Sequence, residues 1–373
     1  MRPVDEGLTR ALRTMWRRGE QGWLATVLAV EGSAYRHEGA KLLVGPGGRP
    51  VGLVSGGCLE DDVALAAMAD GPPSRLLTYA LDDEGLFGMG AGCPGTVRIL
   101  LERLLPPGPA PDPLGRFLAD LVAHRRAVLA TVVPGDGQGP VHRLYGNPAG
   151  SWQGAASAYR QACERLLAEE RPLARSFRAR DGAWVLLDVS APSQQLVVFG
   201  AGDDALPLVA FARQMGLVVL VADHRPALLG GRRLAGARRL DLLRQTWSPR
   251  LIRPGAAVVV MNHHLEWDAK ALRLALASPA AYVALLGPIG RSDRTFQLLA
   301  EEGRPLTRSQ RARVHTPAGL DIGARTPEEI ALAVLAEIVA SRERRPGIPL
   351  AGQRGPLHHA PQPILATEVD ARE

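Results

Sequence analysis

The chain is poor in several things that would otherwise decide its class. Its 373 residues include three cysteines, Cys58, Cys93 and Cys163. None lies at CxxC spacing, so neither a disulfide framework nor a cysteine zinc site is read from them. A reducing cytoplasm is the simplest setting for such a chain. No apolar run approaches about 18 residues, so no membrane-spanning helix is expected. The opening residues, Met1-Arg2-Pro3-Val4-Asp5-Glu6, lack the apolar core of a signal peptide. Lysine is almost missing: two of the 44 basic residues are lysine, and the formal net charge is +6. The arginines are spread along the chain. The short runs Arg232-Arg233 and Arg238-Arg239 have no aromatics between them and read as solvated surface or anion contacts, so no nucleic-acid partner is expected.

What is present is enough apolar residue, 46% of the chain, for ordinary cores. The length fits two domains and a tail. The most informative stretch is Gly200-Ala201-Gly202-Asp203-Asp204-Ala205. The apolar run Leu196-Val197-Val198-Phe199 precedes it, and an amphipathic helical pattern follows as far as Met215-Gly216. A second apolar run, Leu217–Val221, then leads to Ala222-Asp223. Strand, glycine turn, helix, strand and acid in that order form a dinucleotide-type fingerprint. Gly200 permits the tight turn, Gly202 lets backbone approach a phosphate, and the small Ala205 lets helix and strand pack closely. The helix start offers unpaired N–H donors to an anion. Asp223, about 20 residues on, holds the place of a ribose-binding acid. Asp203 and Asp204 put two negative charges at this turn, and the plain reading of both is helix capping.

Further apolar runs, Ala256–Met261 and Tyr282–Gly287, alternate with helical patterns and predict a parallel sheet. The carboxyl-end rule for such sheets brings Asp223, His263 and the Gly287 loop to the same edge as Gly202. His263 and His264 are adjacent, so they point different ways and are not read as a metal pair. Thr326-Pro327-Glu328-Glu329 is a capping box with proline at the first helical position, opening a helix to about Ser341.

Before the fingerprint lies a mixed pattern. A helix with Leu8, Leu12, Met15 and Trp16 on one face is followed by the strand Gly22–Val30 and two short strands, Lys41–Val44 and Pro50–Val54. Next comes Ser55-Gly56-Gly57-Cys58-Leu59-Glu60, a glycine loop running into a helix. A cysteine at a helix start is exposed and has its thiol pKa lowered; Glu60, Asp61 and Asp62 oppose thiolate formation, and a small buried residue is the plain alternative. A second glycine loop, Gly88–Gly95, holds Cys93. Residues 106–113 are proline-rich. The strand Ala127–Val133 resembles the segment around Leu24-Ala25-Thr26-Val27, and each follows an amphipathic helix, a weak internal repeat whose second copy has no glycine–cysteine loop. The expected architecture is therefore an N-terminal mixed α/β domain over 1–190, with a linker near 106–113. A Rossmann-like parallel-sheet domain spans 191–343, and a disordered tail spans 344–373.

Several blocks of this chain resemble the xanthine dehydrogenase accessory family (XdhC/CoxI). They are Ala25-Thr26-Val27 through Gly32-Ser33, Gly39-Ala40-Lys41, Ser55–Glu60, Phe199–Gly202 and Asp223-His224-Arg225-Pro226. The most specific is His315-Thr316-Pro317-Ala318-Gly319-Leu320-Asp321-Ile322-Gly323-Ala324-Arg325-Thr326 with the capping box after it. The resemblance implies a molybdenum cofactor (molybdopterin) chaperone and not a turnover enzyme. Such a protein holds the cofactor while a cysteine desulfurase sulfurates it, then delivers it to a molybdenum hydroxylase of the xanthine or CO dehydrogenase type. It places the cofactor-binding cysteine at Cys58, as metal ligand, with Gly56 and Gly57. By the helix-terminus argument Gly200 and Gly202 are expected to hold the cofactor phosphate, with Asp203 at the same turn, and Asp223, Arg225 and His263 to orient the pterin. A homodimer is the expected assembly. The rival from another class is an NAD(P)-dependent oxidoreductase, with Asp223 on ribose and His263 as proton donor. The sequence departs from the family pattern at Asp203, at Asn262-His263-His264, at Gly287-Pro288-Ile289 and at Cys93-Pro94-Gly95.

Overall fold

The computed structural model describes residues 6–32, 34–81, 95–137, 139–169, 173–245 and 247–351. Ser33, Cys93 with nearly all of its glycine loop, and the tail beyond residue 351 lie outside the described residues. The chain divides into two compact units between Pro192 and Ser193.

The first unit contains two five-stranded antiparallel sheets. Helix α1 (Glu6–Arg17) leads into β1 (Gly22–Gly32), β2 (Lys41–Val44) and β3 (Pro50–Gly52). Helix α2 (Glu60–Met68), β4 (Ser74–Ala80) and β5 (Gly95–Leu104) follow. The second set repeats this order: α3 (Pro113–Val122), β6 (Ala127–Val133), β7 (His142–Gly146), β8 (Trp152–Gly154), α4 (Arg160–Ala168), β9 (Arg175–Arg178) and β10 (Trp184–Ser190). The sheets are ordered β3-β2-β1-β5-β4 and β8-β7-β6-β10-β9, the same topology twice. The registers agree through the centre of both sheets, as far as a bulge after Val27 that the second sheet lacks. Ala25 faces Leu42 and Leu101, while Ala130 faces Leu144 and Leu187. The faint Leu-Ala-Thr-Val similarity therefore marks equivalent places in a duplicated α-βββ-α-ββ unit.

The duplication carries a pair of crossed contacts. Lys41 and Arg143 are equivalent, each facing the threonine of its repeat (Thr26, Thr131). Glu102 and Asp188 are equivalent too, facing Leu24 and Leu129. Lys41 pairs with Asp188, and Arg143 with Glu102, so each repeat sends a cation, buried at Lys41 and part-buried at Arg143, to the other's buried carboxylate. The apolar faces close around them. Leu8, Leu12 and Met15 of α1 pack with Leu24, Leu43 and Leu129 and with Phe117 of α3. Val63, Ala64 and Ala67 of α2 cover Ala25, Leu42, Ile99 and Leu101.

The second unit is an all-parallel six-stranded sheet, as the strand–helix alternation predicts. Its strands are β11 (Gln195–Phe199), β12 (Val218–Asp223), β13 (Arg238–Asp241), β14 (Ala257–Val260), β15 (Tyr282–Leu285) and β16 (Val314–His315), ordered β13-β12-β11-β14-β15-β16. Helices α5 (Ala205–Gln214) and α9 (Pro327–Arg342) pack on one face. Helices α6 (Leu265–Leu276) and α7 (Ile289–Glu301) cover the other, and α8 (Arg308–Ala312) precedes β16. The chain runs outward from β11 to β13 and then returns to β14 on the far side of β11. The topological switch point therefore lies between β11 and β14, where ligands of such sheets gather. Arg238-Arg239, a surface charge run in the sequence, starts the edge strand β13, where charge guards against further pairing. No helix of the described residues is long and apolar enough to cross a membrane.

Candidate functional site

Cys58 sits on the loop between β3 and α2, exposed and outside any disulfide. The loop is fixed by two side chains. The Ser55 hydroxyl accepts the N–H groups of Gly57 (3.2 Å), Cys58 (3.0 Å) and Leu59 (3.0 Å) and donates to Glu60 Oε2. Glu60 Oε1 accepts the N–H groups of Val54 (3.0 Å) and Ser55 (2.8 Å), and Oε2 that of Leu59 (3.2 Å). Gly57 has φ +113°, open only to glycine without strain. The Tyr35 ring lies against Gly56, where an added Cβ would stand 3.4 Å from it. Burial acts to raise the Glu60 pKa, but the bonds from the Ser55 hydroxyl and the surrounding backbone hold it below the usual carboxylate range. The helix-start argument for an activated thiol is thereby changed: the free N–H groups it invokes are already bound by Ser55 and by an ionised carboxylate.

In the second unit, Gly200 (φ +123°) is the tight-turn glycine, because an added Cβ would stand 2.3 Å from the Met261 carbonyl oxygen. Ala205 is fully buried against the sheet, as its place in the fingerprint requires. Asp223 has a different partner from the one its spacing points to. It is fully buried, and its Oδ2 accepts the Ala201 N–H at 2.6 Å. Arg225 donates to Oδ1 from its backbone (2.8 Å) and Nε (3.0 Å), and to Oδ2 from Nη2 (2.9 Å). Burial would raise its pKa, yet these bonds keep it below the ordinary aspartate value. Asp223 therefore locks the glycine turn to β12 and presents no free oxygen to a ribose.

The carboxylates at the turn are also engaged. Arg233 Nη2 donates to Asp203 at 2.5 Å, and His263 Nε2 lies 2.6 Å from Asp204 Oδ2. Asp204 belongs to the loop after β11 and His263 to the loop after β14, so this pair spans the switch point. His263 has φ +57°, unusual for a residue with a side chain. Beside it is a buried network that the sequence did not single out. Asp268 Oδ1 accepts the Asn262 backbone N–H (3.0 Å) and Nδ2 (3.1 Å), while Oδ2 accepts Arg291 at 2.5 Å. Asn262 Oδ1 is buried with no partner among the described residues. His224 stacks on Trp267 at 4.7 Å and meets His264 edge-on. Only the acid in the first turn of α6 hints at this network in the sequence. Gly202, whose added Cβ would meet Asp204 Oδ1 at 2.6 Å, completes the turn. Among the described residues no cluster of three or more His, Cys, Asp or Glu is placed to hold a metal.

The segment after β16 is anchored separately. Glu337 of α9 accepts the Tyr282 hydroxyl (2.6 Å), His315 Nδ1 (2.7 Å) and the Gly319 N–H (2.7 Å). Burial works to raise the Glu337 pKa, but these donors hold it low; burial and Glu337 together push the Tyr282 phenol well above its usual value. Glu337→Gln leaves one of these donors facing an amide N–H and is expected to cost about 1–3 kcal/mol. Urea unfolding of the variant beside wild type checks this, and a loss below about 0.5 kcal/mol would rule out the anchoring role.

The comparisons with known proteins fall on the same elements. The model of the XdhC and CoxI family matches residues 15–80, which include the Cys58 loop. The XdhC Rossmann domain model matches 196–338, which include the glycine turn, His263 and Glu337. The chain is 32% identical over 333 residues to a Bacillus subtilis (strain 168) protein named as a probable xanthine dehydrogenase subunit, covering 87% of this chain and 94% of that one. It is 23% identical over 334 residues to the molybdenum cofactor insertion chaperone PaoD of Escherichia coli (strain K12), covering 87% and 84%. A solved structure described as a xanthine dehydrogenase from Bacillus halodurans superposes with a TM-score of 0.69 at 27% identity, over 90% of this chain and 96% of that one. With both domain models matched in order and one relative aligned along nearly all of both chains, this chain belongs to the XdhC and CoxI family.

Proposed function

We propose that the protein is an accessory factor that holds a molybdenum cofactor for a molybdenum hydroxylase of the xanthine dehydrogenase type. The observation that carries this reading is the Cys58 loop: an exposed thiol at the tip of a glycine turn, which a dehydrogenase does not need. A thiolate is a soft ligand suited to molybdenum. One relative named as a molybdenum cofactor insertion chaperone and another named for xanthine dehydrogenase support the same assignment. In this reading Cys58 meets the metal, with Gly56 and Gly57 leaving room for it. The second unit has a polar edge of its own at Gly200, Gly202, Asp203, Arg225 and His263, and Asp223 holds that edge in shape. Sulfuration by a cysteine desulfurase while the cofactor is held, service to a CO dehydrogenase-type enzyme, and a homodimeric assembly belong to the same proposal.

The glycine fingerprint favours NAD(P) as the competing ligand. Against it stands Asp223, buried and fully engaged by Ala201 and Arg225, with no free oxygen for a ribose. The deciding experiment is a titration of purified protein with molybdenum cofactor and, separately, with NAD(H). Wild type is expected to take up the cofactor and ignore NAD(H). Cys58→Ala is expected to bind the cofactor at least about tenfold more weakly, given that even groups behind a metal ligand change affinity by about 10–100-fold. NAD(H) binding that the substitution leaves unchanged, with no cofactor uptake, would overturn the proposal.

A further inference from the structure

The loop that presents Cys58 is held by its own machinery. Three successive N–H groups, those of Gly57, Cys58 and Leu59, converge on one hydroxyl oxygen, and that hydroxyl in turn donates to a carboxylate from the first turn of the helix that follows. The same carboxylate accepts the two N–H groups entering the loop from β3. Five backbone donors are thus gathered on two side chains, around a stretch whose two glycines would otherwise give it wide freedom. Glu60 is buried although charged, and Ser55 is partly buried, whereas Cys58 between them is exposed. The bonds of Ser55 and Glu60 run to each other and to the backbone that carries the sulfur.

We propose that Ser55 and Glu60 are positioning residues for Cys58: they hold the thiol outward in one orientation before any ligand arrives, and so set the affinity for a metal-centred ligand without touching it. This rests on the reading of Cys58 as a ligand to the molybdenum cofactor. The physical basis is preorganisation. Ordering a glycine-rich loop on binding lowers affinity, and a loop ordered beforehand avoids that loss. The duplicated architecture offers a contrast. The equivalent connection of the second repeat, from β8 through Ser157 to α4, has no cysteine and no glycine pair, and Arg160 there lies over the Trp152 ring. Of the two connections between third strand and helix, the one with a thiol is the one with this network.

The test is a double-mutant cycle in the full chain. Ser55→Ala is expected to bind molybdenum cofactor about tenfold more weakly or worse, and Ser55→Thr, which keeps the hydroxyl, to stay within about threefold of wild type. In the Cys58→Ala background, Ser55→Ala is expected to have no further effect, because its influence passes through the sulfur. Glu60→Gln, which keeps the size but replaces an acceptor oxygen with a donor, should behave like Ser55→Ala. Alkylation of Cys58 by iodoacetamide at one fixed pH gives a second readout that needs no cofactor. The rate is expected to fall several-fold in Ser55→Ala, whose loop no longer holds the thiol outward, and to match wild type in Ser55→Thr. Equal cofactor losses from Ser55→Ala with and without the Cys58 thiol, or alkylation rates indifferent to Ser55, would overturn the inference. If wild type and Cys58→Ala bind the cofactor alike, the ligand reading of Cys58 fails instead, and the alkylation rates still decide whether Ser55 positions the thiol.

Discussion

Asp223→Ala is expected to lower the stability of the second unit by about 2–4 kcal/mol. Removing one member of a fully buried ion pair typically costs about 3–5 kcal/mol. Here the abandoned Arg225 keeps 41% of its side chain open to water, which softens the loss. What remains is an Ala201 N–H with no acceptor, inside the turn between β11 and α5, and a guanidinium deprived of its two-pronged partner. Urea unfolding followed by the fluorescence of Trp247 and Trp267, both in this unit, reads the effect. The pH dependence has a definite sign. The folded pKa of Asp223 lies below its ordinary value, so between the folded and unfolded values the unfolded chain binds the extra proton. The stabilisation is therefore complete above about pH 4–5, set by the unfolded value of about 3.9, and is lost as pH falls through the folded value. The gap between wild type and Asp223→Asn should accordingly narrow as the solution is acidified. A gap that stays constant from pH 7 to pH 3 would mean that the ionised carboxylate is not what holds the turn.

Lys41→Met is expected to be comparably damaging in the first unit, at about 3–5 kcal/mol, because it strands Asp188 with a side chain only 7% exposed. Adding Asp188→Leu should recover most of that loss, since a buried pair replaced by apolar groups of similar volume is often close to neutral. The equivalent pair, Arg143 with Glu102, is nearly as buried, at 13% and 9%. Arg143→Met should therefore show the same pattern, cost alone and recovery with Glu102→Leu. Thermal or urea unfolding of the four single and two double variants, followed by Trp184, completes the two cycles. Single variants that cost less than about 1 kcal/mol would show that the crossed pairs do not tie the repeats together.

Much of the second unit is legible in the chain itself. The strands β11 and β12 are apolar runs of strand length, the turn between them has glycine where φ is positive, and β14 and β15 alternate with helical patterns. The capping box is realised as read: the Thr326 hydroxyl accepts the Glu329 N–H at 3.2 Å, and Glu329 accepts the Thr326 N–H at 3.0 Å. These features depend on neighbours a few residues apart, and so do the glycine loop and helix start that expose Cys58. Three edge strands escape the same reading. The edge strands β4, β9 and β13 carry Ser74, Arg75, Arg175, Arg178, Arg238 and Arg239, and a strand at a sheet edge needs no apolar alternation to be held by its neighbour.

By itself, the sequence determined the alternation of β11, β12, β14 and β15 with helices in the second unit, the places of its tight turn and its last helix cap, and the exposed glycine setting of Cys58. Each of these follows from backbone preferences and hydrophobic spacing within a window of a few residues. Only the tertiary structure decided which donors occupy the carboxylates. It gave Asp223 to the glycine turn, Glu60 to the loop that carries the thiol, and Asp188 to a lysine 147 positions away. A charged side chain's spacing says where on an element it lies, but its role depends on which donors the fold brings within about 3 Å of it.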